Sequence, residues 1–359
     1  MITVSLCMIV RNEEATLSRC LDSVRRAVDE IVIVDTGSTD ATIAIAETYT
    51  ERVIRFPWID DFSAARNESF RHAACDYILW LDADDVLALE DTEKLLELKS
   101  VLGPAVDSVT MPYLLASGQE GRPVYSLRRN RLVKRSRQFR WIGCVHEYLE
   151  VSGTVLHSGI AVRHQPVERP GRSERNLAIY RKKLESGSLW TPRDRYYYAN
   201  ELQDHGLWGD AAEQYEYFLS EGLGWEEDCI QACGKLADCY LQLGRSDRFA
   251  ESALRSLKYG APRAEHCCRL GYHFLREGRL DAAVFWYESA ARLERPDSPW
   301  AILNHACWTW LPHLQLCVCL DRLGRYGKAY EHNEQALAYL PEDPRMLANR
   351  AYLQGKLKA

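Results

Sequence analysis

From residue 2 to about 110, short apolar runs alternate with amphipathic stretches. TVSLCMIV, EIVIVD, VIRF and YILWLD are strand-like, and ATLSRCLDSVRRA, TDATIAIAETY and SAARNESFRHAA between them carry helical spacing. Runs that are apolar at every position, separated by helices, predict a mostly parallel sheet covered on both faces. The front of the chain therefore reads as α/β. After about residue 190 the β-branched runs stop, and glycines recur at Gly206, Gly244, Gly278 and Gly324, with spacings of 38, 34 and 46. A period near 34 predicts stacked helix pairs. The last unit is the clearest, with Tyr326, Ala329, Ala336, Leu337 and Pro341 following Gly324, and Leu280, Ala283, Ala290 and Pro296 nearly repeat the scheme after Gly278. The units at Gly206 and Gly244 are more degenerate. Extra residues around PWAILNHACWTW lengthen the third spacing. Two domains are expected, an α/β domain over 1–189 and an all-α helical repeat domain over 190–359.

Composition narrows the class of protein. With 359 residues, 47% hydrophobic and 27% charged, the chain has the make-up of a globular protein with sizeable cores. A net charge of −6 supplies no general field for nucleic acid or an acidic membrane, so no nucleic-acid partner is expected. No stretch of about 18 uncharged apolar residues occurs, so no membrane span is expected. The opening MITVSLCMIV lacks a basic leader and a cleavage site and reads as a buried strand. Twelve dispersed cysteines, without CxxC or paired zinc spacing, read as reduced buried thiols and predict a cytoplasmic protein.

Two strand ends carry candidate chemistry. Asp35 ends EIVIVD and is followed by Thr-Gly-Ser-Thr-Asp before the next helix. That is a strand tip beyond which an open parallel sheet binds ligands, although the same residues also serve as helix caps. The run YILWLDADD delivers Asp82, Asp84 and Asp85 at the end of a strand that must be buried. Three carboxylates there repel one another unless a divalent cation such as Mg²⁺ or Mn²⁺ joins them to an anionic diphosphate.

These stretches together, SLCMIVRNEE, IVIVDTGSTD, FSAARNESF and ILWLDADD, resemble family 2 glycosyltransferases with the nucleotide-sugar-binding GT-A fold. No GxGxxG opens the first helix, so a dehydrogenase-like fold is not indicated. The resemblance implies that Val10, Arg11, Glu14 and Asp35 hold the uridine of a UDP-sugar, with Arg66 near the nucleotide and Asp82 near ribose and metal. It makes Asp84 the direct metal ligand, with Asp85 outside the motif. RLVKRSRQFRWIGCVHEYLEV is similar to the family's closing segment, which ends in a His-Glu pair beside the sugar. An inverting transfer needs a base for the acceptor proton, and Glu147 is the expected one, with His146 as the alternative. For the seven Arg and Lys between Arg128 and Arg140, a solvated loop and a phosphate-binding segment both stand open. His164 is a candidate metal ligand, although Gln165-Pro166 replaces the Gly-Tyr expected after it; Arg172 and Arg175 are weaker diphosphate candidates.

The helical units resemble tetratricopeptide repeats, and the joined architecture resembles bacterial peptide S- and O-glycosyltransferases that make glycosylated bacteriocins. The expected activity is metal-dependent, inverting transfer of a hexose or N-acetylhexosamine from a UDP-sugar to a peptide Cys, Ser or Thr. A cell-envelope or lipid-linked glycan acceptor is the alternative, and a non-catalytic repeat protein on a degenerate nucleotide-binding scaffold is a further one. The repeats are expected to present a peptide acceptor and to join two chains as a homodimer.

Overall fold

The computed structural model describes residues 1–117, 123–167 and 172–358, with residues 116, 117, 172 and 173 described by their backbone alone. The chain divides into two compact units, Met1–Ser188 and Leu189–Ala359. In the first unit, β1 (Val4–Val10), β2 (Glu30–Asp35), β3 (Val53–Arg55) and β4 (Tyr77–Trp80) form a parallel array in the order β3-β2-β1-β4. β1 is almost wholly buried because both of its faces are covered. Alternate residues of the same strands enter different cores. Leu6, Met8, Tyr77 and Leu79 pack on one face with α1 (Leu17–Val24), whose Leu17, Cys20, Leu21 and Val24 point inward. Cys7, Ile78 and Trp80 pack on the other face, where Phe70 of α3 (Phe62–Arg71) joins them. Since β1 is parallel to β2 and β4, the chain leaves all three at one edge, with Val10 opposite Asp35.

Beyond β4 the sheet is mixed. The order continues β4-β7-β6-β11-β5, where β5 is Asp85–Leu87, β6 is Ser108–Ser117, β7 is Pro123–Lys134 and β11 is Val162–His164. β7 runs antiparallel to β4 and β6, and β11 runs antiparallel to β5. The parallel character expected from the first hundred residues thus holds for β3-β2-β1-β4. The arginines of the basic run lie partly on β7, a strand inside the sheet rather than a solvated loop, and Arg131 is fully buried. Between β7 and β11 come β8 (Arg140–Ile142), β9 (Tyr148–Glu150) and β10 (Val155–His157), and α4 (Leu89–Val101) and α5 (Arg172–Glu185) complete the unit.

The second unit is a series of helix pairs: α6 (Pro192–Asp204) with α7 (Trp208–Glu221), α8 (Glu226–Gln242) with α9 (Ser246–Arg255), α10 (Ala264–Arg276) with α11 (Leu280–Arg292), and α12 (Trp310–Arg322) with α13 (Tyr326–Tyr339). A last helix, α14 (Pro344–Lys358), follows. The four spaced glycines sit between the helices of each pair with φ of 72°, 71°, 73° and 71°. This left-handed conformation stops the first helix and turns the chain into the second, which explains the period. Small residues also set helix separation. A Cβ on Gly271 of α10 would lie 2.8 Å from the ring of Tyr287 on α11, itself 2% exposed.

Because that ring has no free volume to retreat into, Gly271→Val should lower the unfolding free energy by about 1–3 kcal/mol. A urea midpoint equal to that of the parent chain would show that the pair separates without cost.

Candidate active site

The parallel strand ends open into a cleft of about 420 Å³ within the first unit. Val10, Arg11, Arg66, Asp82, Asp84, His146 and Glu147 all line it, although they are spread over 138 residues of chain. Its walls are aromatic, with Trp58, Phe62, Trp80, Tyr113 and Trp141. Arg66 projects from α3 between the indoles of Trp80 and Trp141, its guanidinium carbon 5.1 and 4.8 Å from their centroids. It donates to Asp82 Oδ1 at 2.7 Å and is ion-paired through Nε with Glu147. Burial alone would push the Asp82 carboxyl up, but the Arg66 and Arg131 charges outweigh it and hold the group well below the usual carboxylate range.

Glu14 and Asp35 face elsewhere. The Asp35 carboxylate accepts from the N–H groups of Gly37 and Ser38, at 3.0 Å for Gly37, and so orders its own turn. Glu14 accepts from Ala41 N–H at 3.0 Å, at the start of α2 (Thr42–Glu47). Neither lines the cleft, whereas Thr36, Asn12 and Glu13 do. Asn12, at a left-handed φ of 55°, accepts from Thr39 N–H at 2.8 Å and ties the first strand end to the second. His146 is also left-handed, with φ 51°, on a loop where Phe62 N–H donates to Cys144 O at 2.9 Å.

The acidic strand end holds a second cluster. Antiparallel pairing of β11 with β5 sets His164 opposite Asp85. One ligand atom from each of Asp84, Asp85 and His164 lies within 4.8 Å of the others. Asp85, which the motif reading left outside, is fully buried and paired with fully buried Arg131 at 2.9 Å. His164 Nδ1 is 3.4 Å from Asp84 and 3.6 Å from Asp85. Burial depresses its pKa, yet the two carboxylates outweigh burial and the imidazole is pushed up to about 9. Asp85 Oδ1 and His164 Nδ1, both buried, face each other in that ion pair without a well-formed hydrogen bond. Two carboxylates and an imidazole converging in this way fit a divalent cation, and the oxygen-rich set suits Mn²⁺ or Mg²⁺.

Arg131 lies 3.9 Å from the Trp80 centroid and 4.5 Å from that of Tyr113, and Arg129, two residues earlier on the same strand, lines the cleft. Arg175 also lines it, 4.7 Å from the ring of Phe62, while the side chain of Arg172 lies outside the described residues. Neither Arg129 nor Arg131 was separable in sequence from the rest of the basic run. Period-two spacing was the available signal.

The glycosyl transferase family 2 profile matches residues 5–148. A TPR repeat-containing protein of Synechococcus elongatus is 34% identical over 348 residues, which cover 95% of this chain and 76% of that protein. The N-terminal part of this chain is a glycosyl transferase family 2 domain. Glycosyltransferase SunS of Bacillus subtilis is 33% identical over 115 residues, 31% of this glycosyltransferase and 27% of SunS. Among solved structures, glucosyl-3-phosphoglycerate synthase of Mycobacterium tuberculosis, in complex with Mn²⁺ and UDP-glucose, is 16% identical with a TM-score of 0.36, and the alignment covers 53% of this chain and 81% of that one. The enzyme joins a glycosyl transferase family 2 domain to a tetratricopeptide-like series of helix pairs, and among the described residues no helix is long and apolar enough to cross a membrane.

Within this glycosyltransferase the buried Asp85–Arg131 pair is a structural requirement of the site. Arg131→Met should cost about 3–5 kcal/mol by leaving buried Asp85 without its guanidinium, and Arg131→Met/Asp85→Asn should recover most of the loss. Additive losses in thermal unfolding would show that the two side chains do not support each other.

Proposed function

We propose that the enzyme transfers a hexose or N-acetylhexosamine from a UDP-sugar, with inversion, to a Cys, Ser or Thr side chain of a peptide. The observation that carries the donor side is the convergence of Asp84 with Asp85 and His164 beside an aromatic, arginine-containing cleft that Asp82 and Asp84 line. In this reading Val10 and Arg11 contact the nucleoside, and Asp35 and Glu14 shape the loops that frame it. Arg129 and Arg175 face the diphosphate. Asp84, Asp85 and His164 would hold a divalent cation, which when bound neutralises charge on the diphosphate.

The acceptor oxygen or sulfur forms a bond to the anomeric carbon as the bond from that carbon to the UDP oxygen breaks. UDP leaves with that electron pair, and the acceptor proton passes to Glu147, with His146 next in line. Arg66 holds both Asp82 and Glu147, so it keeps the donor and acceptor sides of the cleft in register. The peptide reading is supported by the repeats, since helical surfaces suit extended or helical segments. It is supported too by the basic run: its arginines fold into the sheet at β7 rather than forming an amphipathic membrane-seeking helix. Homodimerisation through the helical repeats belongs to the same reading, and α14 leaves the apolar side chains of Leu347, Tyr352 and Leu357 exposed.

Asp84→Asn should reduce Mn²⁺-dependent UDP release from a UDP-sugar by orders of magnitude with an unchanged circular-dichroism spectrum; retained activity would remove Asp84 from the site. Glu147→Gln should slow transfer about 10²–10⁴-fold while calorimetric UDP affinity stays nearly constant, and normal turnover would shift the base to His146. Incubation with UDP-sugars and Cys-, Ser- and Thr-containing peptides should give hexose- or N-acetylhexosamine-mass adducts. Labelling confined to a lipid or polysaccharide fraction would decide for an envelope-glycan acceptor.

A further inference from the structure

The last helix pair brings three ligand-type atoms together. His313 on α12 and His332 on α13 face each other through their Nδ1 atoms at 3.1 Å, with ring planes 25° apart. Gln335, one turn further along α13, places its Oε1 3.2 Å from the same His332 nitrogen. A ring nitrogen holds either one proton or one lone pair, so His332 Nδ1 serves only one of these two neighbours in line. A metal ion satisfies all three atoms, because each offers it a lone pair while the ring protons sit on Nε2. Ligand atoms about 2.1 Å from one ion, at angles between octahedral and tetrahedral, stand about 3.0–3.4 Å apart. Both separations fall in that interval.

The neighbours of these side chains hold them in place. Leu314, Ala336 and Leu337 are buried in one small core with Met346. Asn333, fully buried, donates from Nδ2 to Met346 O at 2.9 Å and ties α13 to the start of α14. Rotating either helix about its axis would break this packing, so the spacing of the three atoms is set by the core beneath them. The imidazoles are half-buried and Gln335 is exposed, which leaves a path for an ion from solvent. Burial, and then the neighbouring His332, pushes the His313 pKa down to about 4, and burial lowers that of His332 as well. Both rings are therefore neutral at pH 7, the form that binds metal. Glu288 of α11 and Glu331 add negative charge near His332, and Lys328 opposes them.

Two imidazoles and an amide oxygen make a nitrogen-rich set, which suits Zn²⁺ better than Mg²⁺ or Mn²⁺. We propose that His313, His332 and Gln335 form a Zn²⁺ site, completed by water, whose ion staples α12 to α13. The set differs in kind from the oxygen-rich Asp84, Asp85 and His164, and the assignment is independent of the sugar donor and acceptor.

Equilibrium dialysis of the full chain against micromolar Zn²⁺ in excess Mg²⁺ tests the site. His332→Ala should retain one Zn²⁺ equivalent fewer than the parent chain, and Gln335→Ala should weaken that equivalent about tenfold or more. Zn²⁺ should also raise the melting temperature of the parent chain more than that of His332→Ala. UDP release from a UDP-sugar should be the same in all three chains. Equal Zn²⁺ retention by the parent chain and a folded His332→Ala would overturn the proposal. Should that variant not fold, reaction of the parent chain with diethyl pyrocarbonate decides, read by peptide mass spectrometry. Zn²⁺ should slow carbethoxylation of His313 and His332 about tenfold, and equal rates with and without the ion would remove the site.

Discussion

The site depends on how one strand end tolerates its own charge. β4 brings Asp82, Asp84 and Asp85 to the edge of a buried sheet, where unpaired carboxylates are strongly disfavoured. Two guanidiniums answer them from different directions. Arg66 comes from α3 and binds Asp82, and Arg131 comes from β7 and binds Asp85. Both lie against Trp80, the residue that closes β4, so the same indole supports both countercharges. Asp84 faces the cleft, and its neighbour His164 is brought in by the β11–β5 pairing. Asp84, Asp85 and His164 thereby converge at one point of the strand end.

Arg66 links this balance to the rest of the cleft. Its second carboxylate, Glu147, arrives from a loop far along the chain, and Trp141 before that loop forms the other half of the indole sandwich. A displacement of the loop would therefore unpair a buried arginine as well as move Glu147, so the loop is fixed by charge as much as by packing.

What sequence revealed follows the range of the interactions. β1, β2 and β4 were legible because a strand buried on both faces must be apolar throughout, and Asp82 and Asp84 stood out as charges directly after such a run. The helix pairs were legible because each needs a left-handed residue at its turn, and glycine fills that position most readily. Asp35 was legible as a strand end, and its carboxylate accepts from the N–H groups of Gly37 and Ser38, donors within three residues that a strand-turn-helix pattern supplies. The pairing of Arg131 with Asp85 was hidden because it has no local signature. Their pairing exists only once β7 is antiparallel to β4, and the arginine-rich alternation of β7 resembles an exposed loop until its partner is known.

The repeats show the same contrast on a different scale. Regular spacing disclosed the helices, and the insertion registered only as a defect in that spacing. In the structure the irregular part is the ordered complement of the regular part, because its residues 302 and 304 meet carboxylates that the repeat places at equal positions on α8 and α10. A period-two chain lying on a repeat of about 38 residues needs both patterns to be in phase, so an insertion of another length would present different N–H groups to Glu227 and Glu265. The length of the insertion is therefore as much a determinant of this face as its composition.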